Sequence, residues 1–128
     1  MVLYDRDCGL CLATARRLRR WDRHDRLEML SLQEAAVSDR PAVAETARNH
    51  PLLAELHVLD EASGRVDAGG DAALAIAAAL PGGWLARPLR RIAPVRWIVG
   101  AAYDLVARNR HAIGRRLGLE EAACDTPR

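Results

Sequence analysis

At 128 residues, 50% apolar and 28% charged, the chain has room for one hydrophobic core and not for two. No apolar run approaches the ~20 residues that a membrane-spanning helix needs, and the opening residues lack the charged flank and apolar stretch of a secretory leader, so a cytoplasmic protein is expected. The net charge of +2 conceals a split: residues 1–83 carry −3, residues 84–119 carry +7 with Asp104 as their one acid, and the last nine carry −2. All nineteen basic residues are Arg, which by itself points to no function.

Met1 to Tyr4 is apolar and suits a first strand. From Gly9 onward Leu10, Thr14, Leu18 and Trp21 recur at three-to-four-residue spacing, which predicts a helix to about Asp22 with that stripe buried. Arg16, Arg17, Arg19, Arg20 and Arg23 then form its solvated face. Leu27 to Leu32 suits a second strand beside the first, joined by a right-handed crossover. Ser38 to Arg48 reads as a short surface helix with Ser38 or Asp39 as N-cap, Pro41 near its first turn and Pro51 closing it.

Leu56 to Asp60 is a compact apolar strand, and Glu61-Ala62-Ser63-Gly64 is a turn leading to a short return over Arg65 to Ala68. Gly69-Gly70 predicts a break and Asp71 a cap. Ala72 to Leu80 is a helix small enough on all sides to pack tightly, and Pro81-Gly82-Gly83 stops it. Beyond Trp84 the expectation is a helix over Leu85 to Ile92, a break at Pro94, and a second helix. Its buried stripe is Val95, Ile98, Val99, Ala102, Leu105 and Val106, with Arg96, Asp104, Arg108 and Arg115 opposite. A last short helix covers His111 to Leu117.

The order β-α-β, a helical insertion, then β-β-α predicts an α/β fold of thioredoxin-like plan: a small mixed sheet flanked by helices, with a helical C-terminal extension. Residues 1–83 form the core, 84–119 an extension packed on the same domain, and 120–128 a tail.

Chemistry concentrates at the first strand-to-helix turn, where Asp5-Arg6-Asp7-Cys8-Gly9-Leu10-Cys11 places two thiols three residues apart. Residues at that spacing share a helical face. Cys8 falls at the end with unpaired N–H groups and positive dipole, which favours a thiolate. Cys8 is expected to be the more exposed thiol and to attack a substrate disulfide, with Cys11 resolving the mixed disulfide. Asp5 can exchange a proton with Cys11; alternatively it caps or turns the chain, although Asp7 is the better cap candidate. Gly9 and Leu10 add no charge, so a strongly oxidising couple is not expected.

Three other readings stay open. Cys8 and Cys11 have the spacing of half a zinc knuckle, which Cys124 and one of His24, His50, His57 or His111 would have to complete. The cysteines can also be small apolar core residues without turnover. The third is a binding module, because Trp84, Trp97 and Tyr103 lie among Arg87, Arg90, Arg91, Arg96, Arg108 and Arg110. Such mixtures suit nucleic acid or anionic lipid, but no nucleic-acid motif accompanies them, and self-association through these helices is equally compatible.

The Tyr4-Asp5-x-x-Cys8-x-x-Cys11 opening resembles the thiol-disulfide oxidoreductase DCC family, which takes its name from Asp-x-x-Cys-x-x-Cys. Asp71-Ala72-Ala73-Leu74, Gly83-Trp84, Arg91-Ile92-Ala93-Pro94, Tyr103 and Val106-Ala107-Arg108-Asn109-Arg110 resemble its later landmarks. The resemblance implies a thioredoxin-like fold and disulfide exchange without a cofactor, acting on a protein or small-molecule disulfide and reset by a thiol reductant. Two departures stand out. Arg6 replaces the usual Gly, adding a cation beside the thiols, and no Pro directly precedes Leu56, where thioredoxin-like enzymes commonly carry a cis-proline; Pro51 is the nearest.

Overall fold

In the structure, a computed structural model that describes residues 1–49 and 55–119, four strands form one mixed sheet. They are β1 (Val2–Tyr4), β2 (Met29–Ser31), β3 (His57–Asp60) and β4 (Arg65–Ala68). Their order across the sheet is β2-β1-β3-β4. β1 runs parallel to β2 with Val2 opposite Met29, and antiparallel to β3 with Leu3 opposite His57. β3 and β4 form the expected hairpin, His57 opposite Ala68. This is the thioredoxin-like arrangement that the element order predicts.

Side chains alternate across a pleated strand, so each strand serves two cores. Leu3 and Leu59 point to one face, where Leu32, Ala35 and Val43 close over them from α2 (Leu32–Ala35) and α3 (Pro41–Asn49). Val2 and Met29 point to the other face and meet Ala15 of α1 (Gly9–Trp21) and Ile76 of α4 (Gly69–Ala79). α2 is an addition to the sequence reading. Ser31 caps it by accepting the Glu34 N–H, and the Glu34 carboxylate returns to the Ser31 N–H at 3.0 Å, a reciprocal cap that starts a helix directly at the end of β2.

Five expectations for the second half are corrected. Gly69-Gly70 opens α4 instead of breaking the chain: Gly69 turns the corner from β4 with φ +55°, which side chains rarely tolerate. Asp71 is not the cap but lies in the first helical turn. Pro94 does not interrupt a helix. It sits in the first turn of α6 (Ala93–Arg116), where its missing N–H has no partner to lose, and α6 then absorbs the separate helix expected over His111 to Leu117. Before it, only α5 (Ala86–Leu89) is helical.

α6 packs on α4 and on α1. A Cβ on Gly70 would lie 2.6 Å from the Gly100 Cα, so the α4 and α6 backbones touch there. Arg96 is exposed, as expected, and from there donates to both oxygens of Asp71 at 2.9 and 2.6 Å, tying the two helices together. α4 is therefore covered by the sheet on one side and α6 on the other, which is why its small residues suit it. The stripe expected to be buried on α6 is largely outside: Ile98 is 59% exposed and Leu105 67%. The inward positions include Val99, Gly100, Tyr103, Ala107, Arg110 and Gly114, none of them exposed. Apolar residues and Arg alternate around α6, so periodicity does not say which side turns inward.

Candidate redox site

Both cysteines lie where β1 gives way to α1. The Asp5 carboxylate accepts the Asp7 N–H at 3.0 Å, a local bond that turns the chain after the strand. Cys8 then adopts an extended conformation and is itself the N-cap of α1, the role that Asp7 was expected to take. Its carbonyl accepts the Leu12 N–H at 2.9 Å. Its sulfur accepts the Cys11 N–H at 3.4 Å and faces the Cys11 thiol, the two sulfurs being 2.7 Å apart. Both cysteines are free thiols.

Cys8 is only 2% exposed, which overturns the expectation that it is the more accessible thiol. As N-cap it folds its side chain back over the first turn, under the helix. Cys11, one turn later, is partly exposed and lines a cavity. Burial pushes the Cys11 pKa up to about 12, the bond to Cys8 and the proximity of that sulfur add to the rise, and Arg110 opposes it. Cys11 thus holds its proton, and the Cys8 sulfur lies against it at the positive end of the helix.

Asp5 and Asp7 are bridged by Gln33 of α2, whose amide donates to one oxygen of each at 3.3 and 3.1 Å. Gln33 is a site residue that the sequence reading missed. The signal was present, because Ser31-x-x-Glu34 marks the start of the helix that carries it. Asp5 does reach the thiols electrostatically, its charge contributing to the raised Cys11 pKa. Arg6 acts elsewhere: Glu34 lies below the usual carboxylate range chiefly through its bonds to Ser31, with Arg6 and Arg19 adding to the effect.

The cavity beside Cys11 has a volume of about 260 Å³ and lies between α1 and α6. From α1 it is lined by Leu10, Thr14 and Leu18, three of the four residues expected to be buried in a closed core. The fourth, Trp21, is 52% exposed under the Arg17 guanidinium. From α6 come Tyr103, Val106, Ala107 and Arg110. The Tyr103 hydroxyl accepts the Leu56 N–H at 2.6 Å, fixing α6 to the start of β3, and burial raises its pKa. Motif reasoning had placed none of these α6 residues in the site.

Among the described residues no group of three His, Cys, Asp or Glu is placed to hold a metal. His57 is buried with its Nδ1 2.9 Å from the Glu55 carbonyl, and His24 and His111 are exposed. Cys124, His50 and Pro51 lie outside the described residues. No described helix is long and apolar enough to cross a membrane.

No curated protein and no solved structure matches the chain. Residues 2–116, from the first strand to the end of α6, match one family, the DCC1-like thiol-disulfide oxidoreductases. With a paired Cys8 and Cys11 at the head of α1 and a match over nearly its whole length, the chain belongs to the DCC1-like thiol-disulfide oxidoreductase family.

Proposed function

We propose that the protein catalyses thiol-disulfide exchange through Cys8 and Cys11 in the cytoplasm. The observation that carries the reading is the pairing of two free thiols, their sulfurs 2.7 Å apart, at the head of α1. Cys8 holds its sulfur at the α1 N-terminus, against Cys11, and burial keeps the proton on Cys11. In the reduced protein Cys8 attacks one sulfur of a substrate disulfide, forms a mixed disulfide and expels the other sulfur as a thiolate. Cys11 then loses its proton, with Asp5 as the nearby acceptor, and attacks the Cys8 sulfur. This releases the second substrate thiolate and leaves a Cys8–Cys11 disulfide, so two electrons pass to the substrate. A thiol reductant returns the pair to its starting state. The substrate sulfur approaches from the cavity, and therefore from the Cys11 side of the pair.

Single serine variants test the roles. Cys8→Ser is expected to abolish exchange, and Cys11→Ser to accumulate a mixed disulfide on Cys8, read by mass spectrometry after alkylation. Full exchange by Cys8→Ser, or a mixed disulfide trapped on Cys11 in that variant, would reverse the assignment.

A further inference from the structure

The chemistry of the cavity says what kind of sulfur compound the pair is built to meet. Cys11 opens into a space of about 260 Å³ whose walls are mainly the hydrocarbon of Leu10, Leu18, Leu56, Val106 and Ala107. That is slightly below the range of pockets that enclose drug-sized ligands, about 300 Å³ and upward. It suits one short chain.

An extended polypeptide is a poor fit here. To lie along this wall it would pair with backbone groups, and those of Leu56 are already used: its N–H is given to the Tyr103 hydroxyl at 2.6 Å and its carbonyl accepts the Gly69 N–H at 2.9 Å. A bound chain therefore gains contact from its apolar surface and not from main-chain hydrogen bonds. Tyr103 both shapes the wall and closes the backbone to pairing.

We infer that the partner of the Cys8–Cys11 pair is a small apolar dithiol or its cyclic disulfide, with its aliphatic tail seated between α1 and α6 and its sulfurs at Cys11. The inference rests on the exchange reading above and adds the class of substrate. The step balances as a two-electron exchange. One substrate thiolate attacks the Cys8 sulfur of the Cys8–Cys11 disulfide, frees Cys11 as the leaving thiolate and forms a mixed disulfide on Cys8. The second substrate sulfur then closes onto the first as the cyclic disulfide and frees Cys8. Two protein thiols are left, and the two protons of the substrate pass to them. The reverse sequence reduces the cyclic disulfide.

The test compares dihydrolipoamide, which carries an aliphatic tail, with dithiothreitol, which does not. Each rate of reduction of the oxidised protein is divided by that dithiol's rate with oxidised glutathione. Each methylene that enters the cavity is worth about fourfold, so a normalised preference of about tenfold or more for dihydrolipoamide is expected. Ala107→Phe and Val106→Phe fill the cavity from α6 and should bring that ratio toward one. An unfolded fraction would react without preference, so the ratio is read on variants whose urea midpoint shows them folded, and two variants guard against one local rearrangement. Octanamide, a tail without sulfur, should bind the wild-type protein by calorimetry and compete with dihydrolipoamide.

Exchange with both dithiols at equal normalised rates, with no octanamide binding, overturns the substrate class while leaving the redox reading standing. Octanamide binding with no exchange by either dithiol overturns the redox reading, and the dithiol substrate with it. A preference that survives both Phe variants shows that selectivity arises elsewhere and overturns the placement in this cavity.

Discussion

α1 and α6 face each other across the same cavity but contribute to it in opposite ways. α1 brings the reactive atoms, and its placement is local: a turn held by Asp5, an N-cap made by Cys8, and a second thiol three residues on. α6 brings no sulfur and is placed from a distance, by Gly70 against Gly100, by Arg96 on Asp71 and by Tyr103 on Leu56. The two sulfurs are thus placed by eight residues, Asp5 to Leu12, whereas the wall beside them depends on contacts spanning most of the chain. The two should be separable by mutation.

The widest separation should come from Cys8→Ser set against Gly70→Ala. The serine variant loses exchange and keeps the fold, because a serine can still cap α1. The alanine variant keeps both thiols but drives a methyl group into the backbone of Gly100. A clash with backbone has little room to relax and should cost about 1–3 kcal/mol, read as a lower urea midpoint. An unchanged midpoint would mean that α4 and α6 are not in contact at that point.

Tyr103→Phe should weaken the α6 side alone. It removes the acceptor of the Leu56 N–H and leaves a partly buried donor unpaired, at about 1–3 kcal/mol. The Cys8–Cys11 potential should barely move, since the phenol does not bond either sulfur. A potential that shifts as much as the stability would show that the two helices are coupled more tightly than this account holds.

On the α1 side the sharper handle is pH. The Cys11 pKa rises on folding from its ordinary 9.0 to about 12, so the folded state holds this proton more firmly than the unfolded chain. Its contribution to stability is therefore complete below pH 9.0 and is lost as the pH rises from there toward about 12. Stability measured across that window should fall more steeply in the wild type than in Cys11→Ser. Equal slopes would remove the proton from Cys11. The smallest effect belongs to Asp71→Asn, which breaks a half-exposed ion pair with Arg96 and should cost about 0–1 kcal/mol, diminishing with salt.

The same contrast explains what could be read from the sequence. Elements fixed by neighbouring residues were legible: α1 ends with Asp22 as its C-cap, as its period suggests, and the return strand of the hairpin spans Arg65–Ala68 as expected. The α2 start was legible too, through Ser31 and Glu34, but only four residues follow and no period can announce so short a helix. What depends on distant packing was not. Gly69-Gly70 looks like a break unless one knows that α6 presses on it, and Pro94 looks like a break when it begins a helix. The stripe of Leu10, Thr14 and Leu18 was identified as one face, yet period alone cannot distinguish a face against a core from one against a cavity. Nor could it show that the N-cap role would bury Cys8 and leave Cys11 at the opening.

The central claim, that Cys8 and Cys11 form a working redox pair, is tested most directly by equilibrating the protein in graded dithiothreitol and glutathione buffers. Alkylation and mass spectrometry of the Cys8–Cys11 peptide then give its oxidised fraction. The account predicts a reversible two-electron disulfide between these residues with a midpoint of about −270 to −200 mV, the thioredoxin-to-glutaredoxin range. A pair that stays reduced throughout, or that oxidises only to mixed or irreversible products, would contradict it.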